Sequence, residues 1–295
     1  MSRVDVDGRE LKLSNLDKVL YPEAGFTKAQ VIDYYGQVAN AMVPHLAGRA
    51  VTMVRWPDGV ERGSFFEKRC PSHAPAWMHS AESQPGLRQC VLDDRPSLVW
   101  AANMAALELH TLQARVDEPD RPTAMVFDLD PGEPAGVLDC ARVALELRDL
   151  LAELGLRGVV KTSGGKGLHV AVPLHSPATD TATKELALAC GQLLQHRDPE
   201  RVTVVMAKAQ RRGKVFIDWS QNDRHKTTVC AYSLRGRARP TVSCPVSWDE
   251  VSEALTRDDP DAITFETATV LERIGALGDL YRPALEDVQE LPALG

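Results

Sequence analysis

Asp128 and Asp130 lie one residue apart in the apolar run Ala124-Met125-Val126-Phe127-Asp128-Leu129-Asp130, and Asp218 ends a second run, Val215-Phe216-Ile217-Asp218. In an extended strand alternate side chains share a face, which sets the first two carboxylates side by side with Cα atoms about 7 Å apart. Burying two unpaired carboxylates is costly, and their like charges push one pKa up. A divalent cation removes both penalties. With Asp218 on a neighbouring strand, three carboxylates suit two metal ions about 3.5–4 Å apart, the spacing used for in-line phosphoryl transfer. Taken alone, Asp-x-Asp ahead of Pro131-Gly132 reads more simply as a strand running into a turn.

A second group is the glycine-rich stretch Lys161-Thr162-Ser163-Gly164-Gly165-Lys166-Gly167-Leu168-His169. It is not a Walker A loop: Gly167 stands where Ser or Thr is required, and the pattern after it is that of a strand. Its backbone N–H groups and Lys166 still suit an anion such as a triphosphate, because nests of amides bind anions in any fold. The alternative is a glycine hairpin with a solvated lysine. His169 falls on the strand face opposite Leu168 and Val170, away from the apolar layer. Phe65-Phe66 places two aromatics on opposite faces of a strand, so that one packs inward; the other either stacks on a base or sugar or packs in the core as well, and the pattern does not separate the two.

The elements that hold these residues follow from periodicity. Residues 9–13 alternate as a short strand, and Ser14-Asn15 opens a turn through Lys18. Thr27-Lys28-Ala29-Gln30 has capping-box spacing, with Val31, Tyr34, Tyr35, Val38 and Met42 at helical intervals up to a stop near Pro44. A strand is predicted over 50–56, a helix capped by Ser97 running to His110, and a strand carrying Asp128 and Asp130. A helix over 137–154 stopped by Gly155, strands over 158–162 and 168–174, a helix near 183–195 and strands near 202–205, 215–219 and 229–234 come next. One or two short helices fill the last 50 residues.

Composition narrows the class. The 295 residues are 44% apolar, enough for a packed core, and no run approaches the roughly 20 apolar residues that span a bilayer. The N-terminal residues are not those of a signal peptide, so the expected location is the cytoplasm. Cys70, Cys90, Cys140, Cys190, Cys230 and Cys244 show no framework spacing, as expected of reduced thiols, and a zinc site from Cys70, His73, His79 and Cys90 is disfavoured. Net charge is −7, yet the window from Ala207 to Arg239 holds nine Lys/Arg and two acids, a net +7 against −14 elsewhere. A local basic stripe of this kind suits a polyanion; the alternative is a solvated hairpin face. With no repeat and no Ser/Gly linker, one domain over 1–295 is expected: an N-terminal layer to about 120, a catalytic core at about 121–240 and a helical segment after it.

Nine blocks in order then carry a resemblance. They are residues 16–22 (Leu-Asp-Lys-Val-Leu-Tyr-Pro), 55–59 (Arg-Trp-Pro-Asp-Gly), 65–68 (Phe-Phe-Glu-Lys), 107–110 (Leu-Glu-Leu-His), 127–133 (Phe-Asp-Leu-Asp-Pro-Gly-Glu), 162–169 (Thr-Ser-Gly-Gly-Lys-Gly-Leu-His), 216–222 (Phe-Ile-Asp-Trp-Ser-Gln-Asn), 226–229 (Lys-Thr-Thr-Val) and 232–236 (Tyr-Ser-Leu-Arg-Gly). From about residue 8 to about 285 the chain resembles the polymerase domain of bacterial ligase D, in the archaeo-eukaryotic primase superfamily. That resemblance implies a mixed α/β (α+β) primase-polymerase fold, with a central, mostly antiparallel sheet flanked by helices and a smaller N-terminal α/β layer. It implies that Asp128, Asp130 and Asp218 are the catalytic, metal-binding carboxylates for two divalent ions, Mn²⁺ or Mg²⁺. Ser163, Lys166 and His169 match the nucleotide-phosphate loop and strand. Phe65 and Phe66 match aromatics beside the incoming base and sugar, and His110 and Gln221 further nucleotide contacts. Asn15, Lys18 and Lys28 match a pocket for the 5′-phosphate of a downstream strand, and Arg211 and Arg235 match basic residues near template and active site. One departure is Val54, where relatives often carry a Lys; Arg55 is the candidate substitute.

The function implied is template-directed addition of nucleotides, ribonucleotides preferred, to a primer 3′-OH at gaps or double-strand breaks, in repair by end joining. The implied partners are gapped or broken DNA, nucleoside triphosphates, a DNA ligase and a Ku-like end-binding protein, with no membrane, in a nucleoid-associated cytoplasmic setting. The rival readings are a non-catalytic module that binds or bridges DNA ends, which needs neither the carboxylates nor the phosphate loop, and an Asp-x-Asp-x-Thr phosphatase, which Pro131-Gly132 disfavours.

Overall fold

The computed structural model describes residues 2–292; Met1 and residues 293–295, the ends of the expected 1–295 domain, lie outside the described residues. The chain gathers into two compact units, one of Met1–Asp117, Thr227–Ser243 and Glu266–Gly278, the other of Glu118–Lys226, Cys244–Phe265 and Asp279–Gly295.

In the first unit the antiparallel sheet runs in the order Thr227–Val229, Ala106–Leu112, Ala50–Arg55, Leu87–Val91, Ser80–Gln84, with Phe65–Glu67 also paired to Ala50–Arg55. Helix Lys28–Leu46 starts on the Thr27/Gln30 capping box and buries Val31, Tyr34, Tyr35, Val38 and Met42. It runs on through Pro44 to Leu46, because a proline in the last turn forfeits only one hydrogen bond. Its tyrosines donate to main chain, Tyr34 to the Tyr232 carbonyl at 2.8 Å and Tyr35 to that of Leu107 at 2.7 Å. They thereby pin the segment that leads to Arg235.

The helix expected from Ser97 to His110 is corrected. Asp94 is the cap and Ser97 completes its box, the helix spans Arg95–Asn103, and Ala105 turns out of it at φ 55°. Ala106–Leu112 is a strand in which Leu107 and Leu109 are fully buried. The period there is two, a switch hidden by the helical spacing of the apolar residues before it. The thiol expectation is corrected too: Cys70 and Cys90 form a disulfide with Cα atoms 4.8 Å apart, while Cys140, Cys190, Cys230 and Cys244 are buried outside it.

In the second unit the sheet order is Val202–Thr203, Val215–Asp218, Ala124–Pro131, Leu168–Pro173, Val159–Thr162, Pro245–Val246, with one parallel pair at the Val202–Thr203 edge. Met125, Phe127 and Leu129 are fully buried on one face, where helices Val137–Glu153 and Asp180–Arg197 pack. Ala124 and Val126 share the opposite face with Asp128 and pack against Ala171, Val159 and Tyr281. Apolar packing thus covers one end of that face and leaves the aspartates at the other. Among the described residues of the last 50 there are three α-helices, Trp248–Arg257, Thr267–Leu277 and Pro283–Glu286, rather than one or two. No helix of the described residues is long and apolar enough to cross a membrane.

Candidate active site

Sheet register assembles the chemistry of the second unit. Asp128 stands directly opposite Asp218 on one side and His169 on the other, and His169 stands opposite Lys161. Lys161, His169, Asp128 and Asp218 therefore form one row across four strands, and directly opposed residues share a face. Lys161 and His169 are 3% and 5% exposed. His169 Nε2 lies 3.2 Å from Asp128 Oδ1, and Lys161 Nζ lies 3.1 Å from His169 Nδ1. An ammonium can only donate, so Nδ1 accepts and the imidazole proton sits on Nε2, facing the carboxylate.

Asp130 follows on the same face, in register with Phe216. Asp218 is held by the turn after it: its Oδ1 accepts from Ser220 N at 3.0 Å and Ser220 Oγ at 2.6 Å, and its Oδ2 from Gln221 Nε2 at 3.0 Å. Gln221 Oε1 is buried with no hydrogen-bond partner. Asn222 clamps that turn to the central strand, accepting from Val126 N at 2.7 Å and donating to Val126 O at 2.8 Å. Three carboxylates are a hard-oxygen donor set suited to divalent cations. As arranged, no three His, Cys, Asp or Glu side chains among the described residues stand ready to hold a metal ion. An ion must compete with Ser220 and Gln221 for Asp218.

The glycine-rich turn lies against this row. Ser163 Oγ accepts from Gly165 N and Gly167 N, each at 3.2 Å, and Ser163 N donates to the Gly167 carbonyl. A Cβ on Gly167 would come within 2.1 Å of the Leu129 carbonyl oxygen, so only glycine lets the turn sit beside the aspartate strand. Lys166 is exposed and pairs with Glu133. The basic segment abuts the other side: a Cβ on Gly132 would meet the Arg211 carbonyl oxygen at 1.9 Å, and the Arg211 guanidinium lies 3.5 Å above the Phe216 ring. The basic window is not one hairpin. Its residues up to Lys226 belong to this unit and those from Thr227 to the first.

The first unit carries the remaining candidates. Phe65 and Phe66 are 44% and 65% exposed, so neither packs inward as the strand alternation predicted; three residues on a sheet edge bury neither face. Arg55 lies 5.1 Å from the Phe65 ring centroid, pairs with Glu67 at 2.5 Å and donates to the Met104 carbonyl at 2.7 Å. Val54 is buried.

Asn15, Lys18 and Lys28 come together with Ser14, Arg55 and Asn103 around a cavity of about 260 Å³. Asn15 takes φ 53°, which turns the chain into the loop. Lys18 pairs with Asp58 at 2.6 Å. Lys28, at the first position of its helix and 5% exposed, donates to the Ser14 carbonyl at 2.7 Å. Burial, then the charges of Lys18 and Arg55, lower its pKa to about 8. Three cations around one cavity favour an anion.

His110 and Arg235 meet at a residue the sequence reading passed over. Glu108 lies between them, 2.8 Å from His110 Nε2 and 3.1 Å from Arg235 Nε. Lys161, Asn222 and Glu108 are site residues that the sequence pattern does not mark as such. The period-two alternation of residues 107–110 was the available signal for Glu108, and nothing local pointed to the other two.

Comparison with known proteins places the chain in a family. A family model described as LigD, primase-polymerase domain, matches residues 27–281. The multifunctional non-homologous end joining protein LigD of Mycolicibacterium smegmatis is 44% identical over 278 residues, covering 92% of this chain and 36% of that protein. The bifunctional LigD of Bacillus subtilis is 33% identical over 282 residues, covering 92% of this chain and 44% of that protein. The chain thus spans less than half the length of these relatives. The solved polymerase domain of Mycobacterium tuberculosis ligase D in complex with DNA superposes with a TM-score of 0.87 at 43% identity, covering 95% of this chain and 99% of that one. Fold, sequence and length of match coincide, and the chain belongs to the LigD primase-polymerase domain family, whose members are nucleotidyltransferases.

Proposed function

We propose that this chain extends a DNA primer 3′-OH by template-directed nucleotidyl transfer at gaps and double-strand breaks, within end-joining repair. The observation that carries the reading is the register row that sets Asp128 opposite Asp218 and His169, with Asp130 on the same face. Polymerases of this family need divalent metals. Asp128, Asp130 and Asp218 are the residues to hold them, as two ions, Mn²⁺ in preference to Mg²⁺. When bound, such ions supply charge neutralisation at the triphosphate and lower the pKa of the attacking hydroxyl.

The chain's own groups do the rest. His169, its proton fixed on Nε2 by Lys161, holds Asp128 in place. The amides and Lys166 of the glycine turn offset charge on the phosphates, and Gln221, with its unsatisfied Oε1, contributes a polar contact to the nucleotide. In the first unit Phe65 and Phe66 offer exposed rings for stacking, and His110 meets the sugar and phosphates. Arg211 and Arg235 serve the template near the active site. The cavity of Asn15, Lys18 and Lys28 takes a downstream 5′-phosphate. Residues 1–295 act as one primase-polymerase domain. A ligase and a Ku-like protein are its partners, and the setting is the nucleoid in the cytoplasm.

Extension of a labelled primer across a short gap, with each nucleotide supplied separately, tests this. Templated addition dependent on a divalent ion is expected. Tight binding of the gapped duplex with no extension under any divalent ion favours the end-bridging alternative.

A further inference from the structure

Glu108 is 7% exposed and sits mid-strand between the fully buried Leu107 and Leu109. A buried carboxylate persists only where donors surround it. Here Oε2 lies 2.8 Å from His110 Nε2, while Oε1 accepts from Gly236 N at 3.0 Å and lies 3.1 Å from Arg235 Nε. Burial pushes its pKa up, but the His110 hydrogen bond, the charges of Arg235 and His110 and the Gly236 N–H outweigh it and hold the pKa down to about 2. Behind it, Tyr21 Oη donates to the Arg235 carbonyl at 2.9 Å, fixing the main chain from which the guanidinium extends. One carboxylate thus ties a side chain of its own strand to a segment more than 120 residues away.

We infer that Glu108 is a positioning residue, whose two oxygens orient the His110 imidazole and the Arg235 guanidinium for contact with nucleotide and template. This rests on the reading of those two side chains given above. A carboxylate only accepts, so His110 Nε2 carries a proton and Nδ1 is the ring nitrogen turned toward a ligand. The His110 ring N–H, the Gly236 N–H and the Arg235 charge converge on the two oxygens of Glu108. An amide cannot serve all three: its oxygen stays with the Gly236 N–H and the Arg235 cation, and its NH₂ then faces His110. Glu108→Gln therefore moves the imidazole proton from Nε2 to Nδ1.

The test has two readouts on the full chain. ¹⁵N–¹H correlation spectra of the His110 ring should show the proton on Nε2 in the wild type and on Nδ1 in Glu108→Gln; the same tautomer in both proteins overturns the proposal. This readout needs no activity, so it stands apart from failure of the polymerase reading, which an inactive wild type would reveal. In primer extension, Glu108→Gln should raise KM for the incoming nucleotide at least tenfold with a smaller change in kcat. Combined with His110→Ala it should add less than threefold. Full additivity of the two substitutions overturns the proposal. Should Glu108→Gln not fold, Glu108→Asp keeps the charge but draws it back from His110. The same KM rise is then expected, and wild-type kinetics from the folded Asp variant overturn the assignment.

Discussion

Lys28 sets stability against function, and the size of the conflict follows from its surroundings. Its pKa falls from 10.5 to about 8 on folding. At about 1.4 kcal/mol per pH unit, the folded state is penalised by up to roughly 3 kcal/mol while the amine is charged in both states. Because the folded pKa is the lower one, the unfolded chain holds the extra proton between pH 8 and 10.5. Stability rises with pH across that window, and the full penalty applies below it. Lys28→Met removes the penalty but leaves the Ser14 carbonyl without its donor, a loss of about 1–2 kcal/mol. The variant should be about 1–2 kcal/mol more stable than wild type at pH 7, and that advantage should vanish as pH rises from 8 to 10. Denaturant unfolding at pH 7, 8, 9 and 10 measures this. The same substitution should erase the preference for a gapped duplex bearing a downstream 5′-phosphate over one bearing a 5′-hydroxyl, since a charge-assisted contact contributes about 1.5–3 kcal/mol. In the wild type the preference should weaken above pH 8, where the amine must take up a proton to bind. A Lys28→Met protein less stable than wild type at pH 7, or one that keeps the preference, refutes the reasoning.

Other outcomes follow from single contacts. Gly167→Ala drives a Cβ to 2.1 Å from the Leu129 carbonyl, so it should displace the phosphate turn and cut extension at least tenfold, read alongside a melting curve. Lys161→Met removes the donor to His169 Nδ1; extension should fall by ten- to a hundredfold, the kinetic equivalent of about 1.5–3 kcal/mol, while duplex affinity measured by fluorescence anisotropy is kept. Ribonucleotides should be incorporated with a higher kcat/KM than deoxyribonucleotides in single-nucleotide extension, and His110→Ala should narrow that ratio.

What the sequence made legible were the local signals. The Thr27–Gln30 box, the alternation through Asp128 and Asp130, the Gly155 stop and the Ser163–Gly167 turn all stand in the structure where they were expected. The misses were non-local or competing signals. Residues 98–105 carry helical spacing, which masks the period of two that follows, and the chain leaves the helix at Ala105 because Leu107 and Leu109 pack as a strand. The Cys70–Cys90 bond depends on the segment after Phe65–Glu67 lying beside strand Leu87–Val91, where Cys70 N donates to the Arg88 carbonyl, a pairing that the intervening sequence does not announce. Phe65-Phe66 obeys strand alternation but sits on an edge too short to bury either ring. In the candidate site the aspartates were legible because like charges in an apolar run are anomalous. Lys161 and Glu108 were not, since a charged residue in a strand reads as solvent-facing until register reveals its neighbours.

If the carboxylate row performs nucleotidyl transfer, loss of one of its members stops the reaction, and Asp128→Ala is the variant to measure. Extension of a gapped, 5′-phosphorylated duplex with Mn²⁺ and nucleoside triphosphates should fall below one part in a thousand of the wild-type rate, while affinity for the same duplex changes less than threefold. Extension by Asp128→Ala at a rate near that of the wild type would contradict the account.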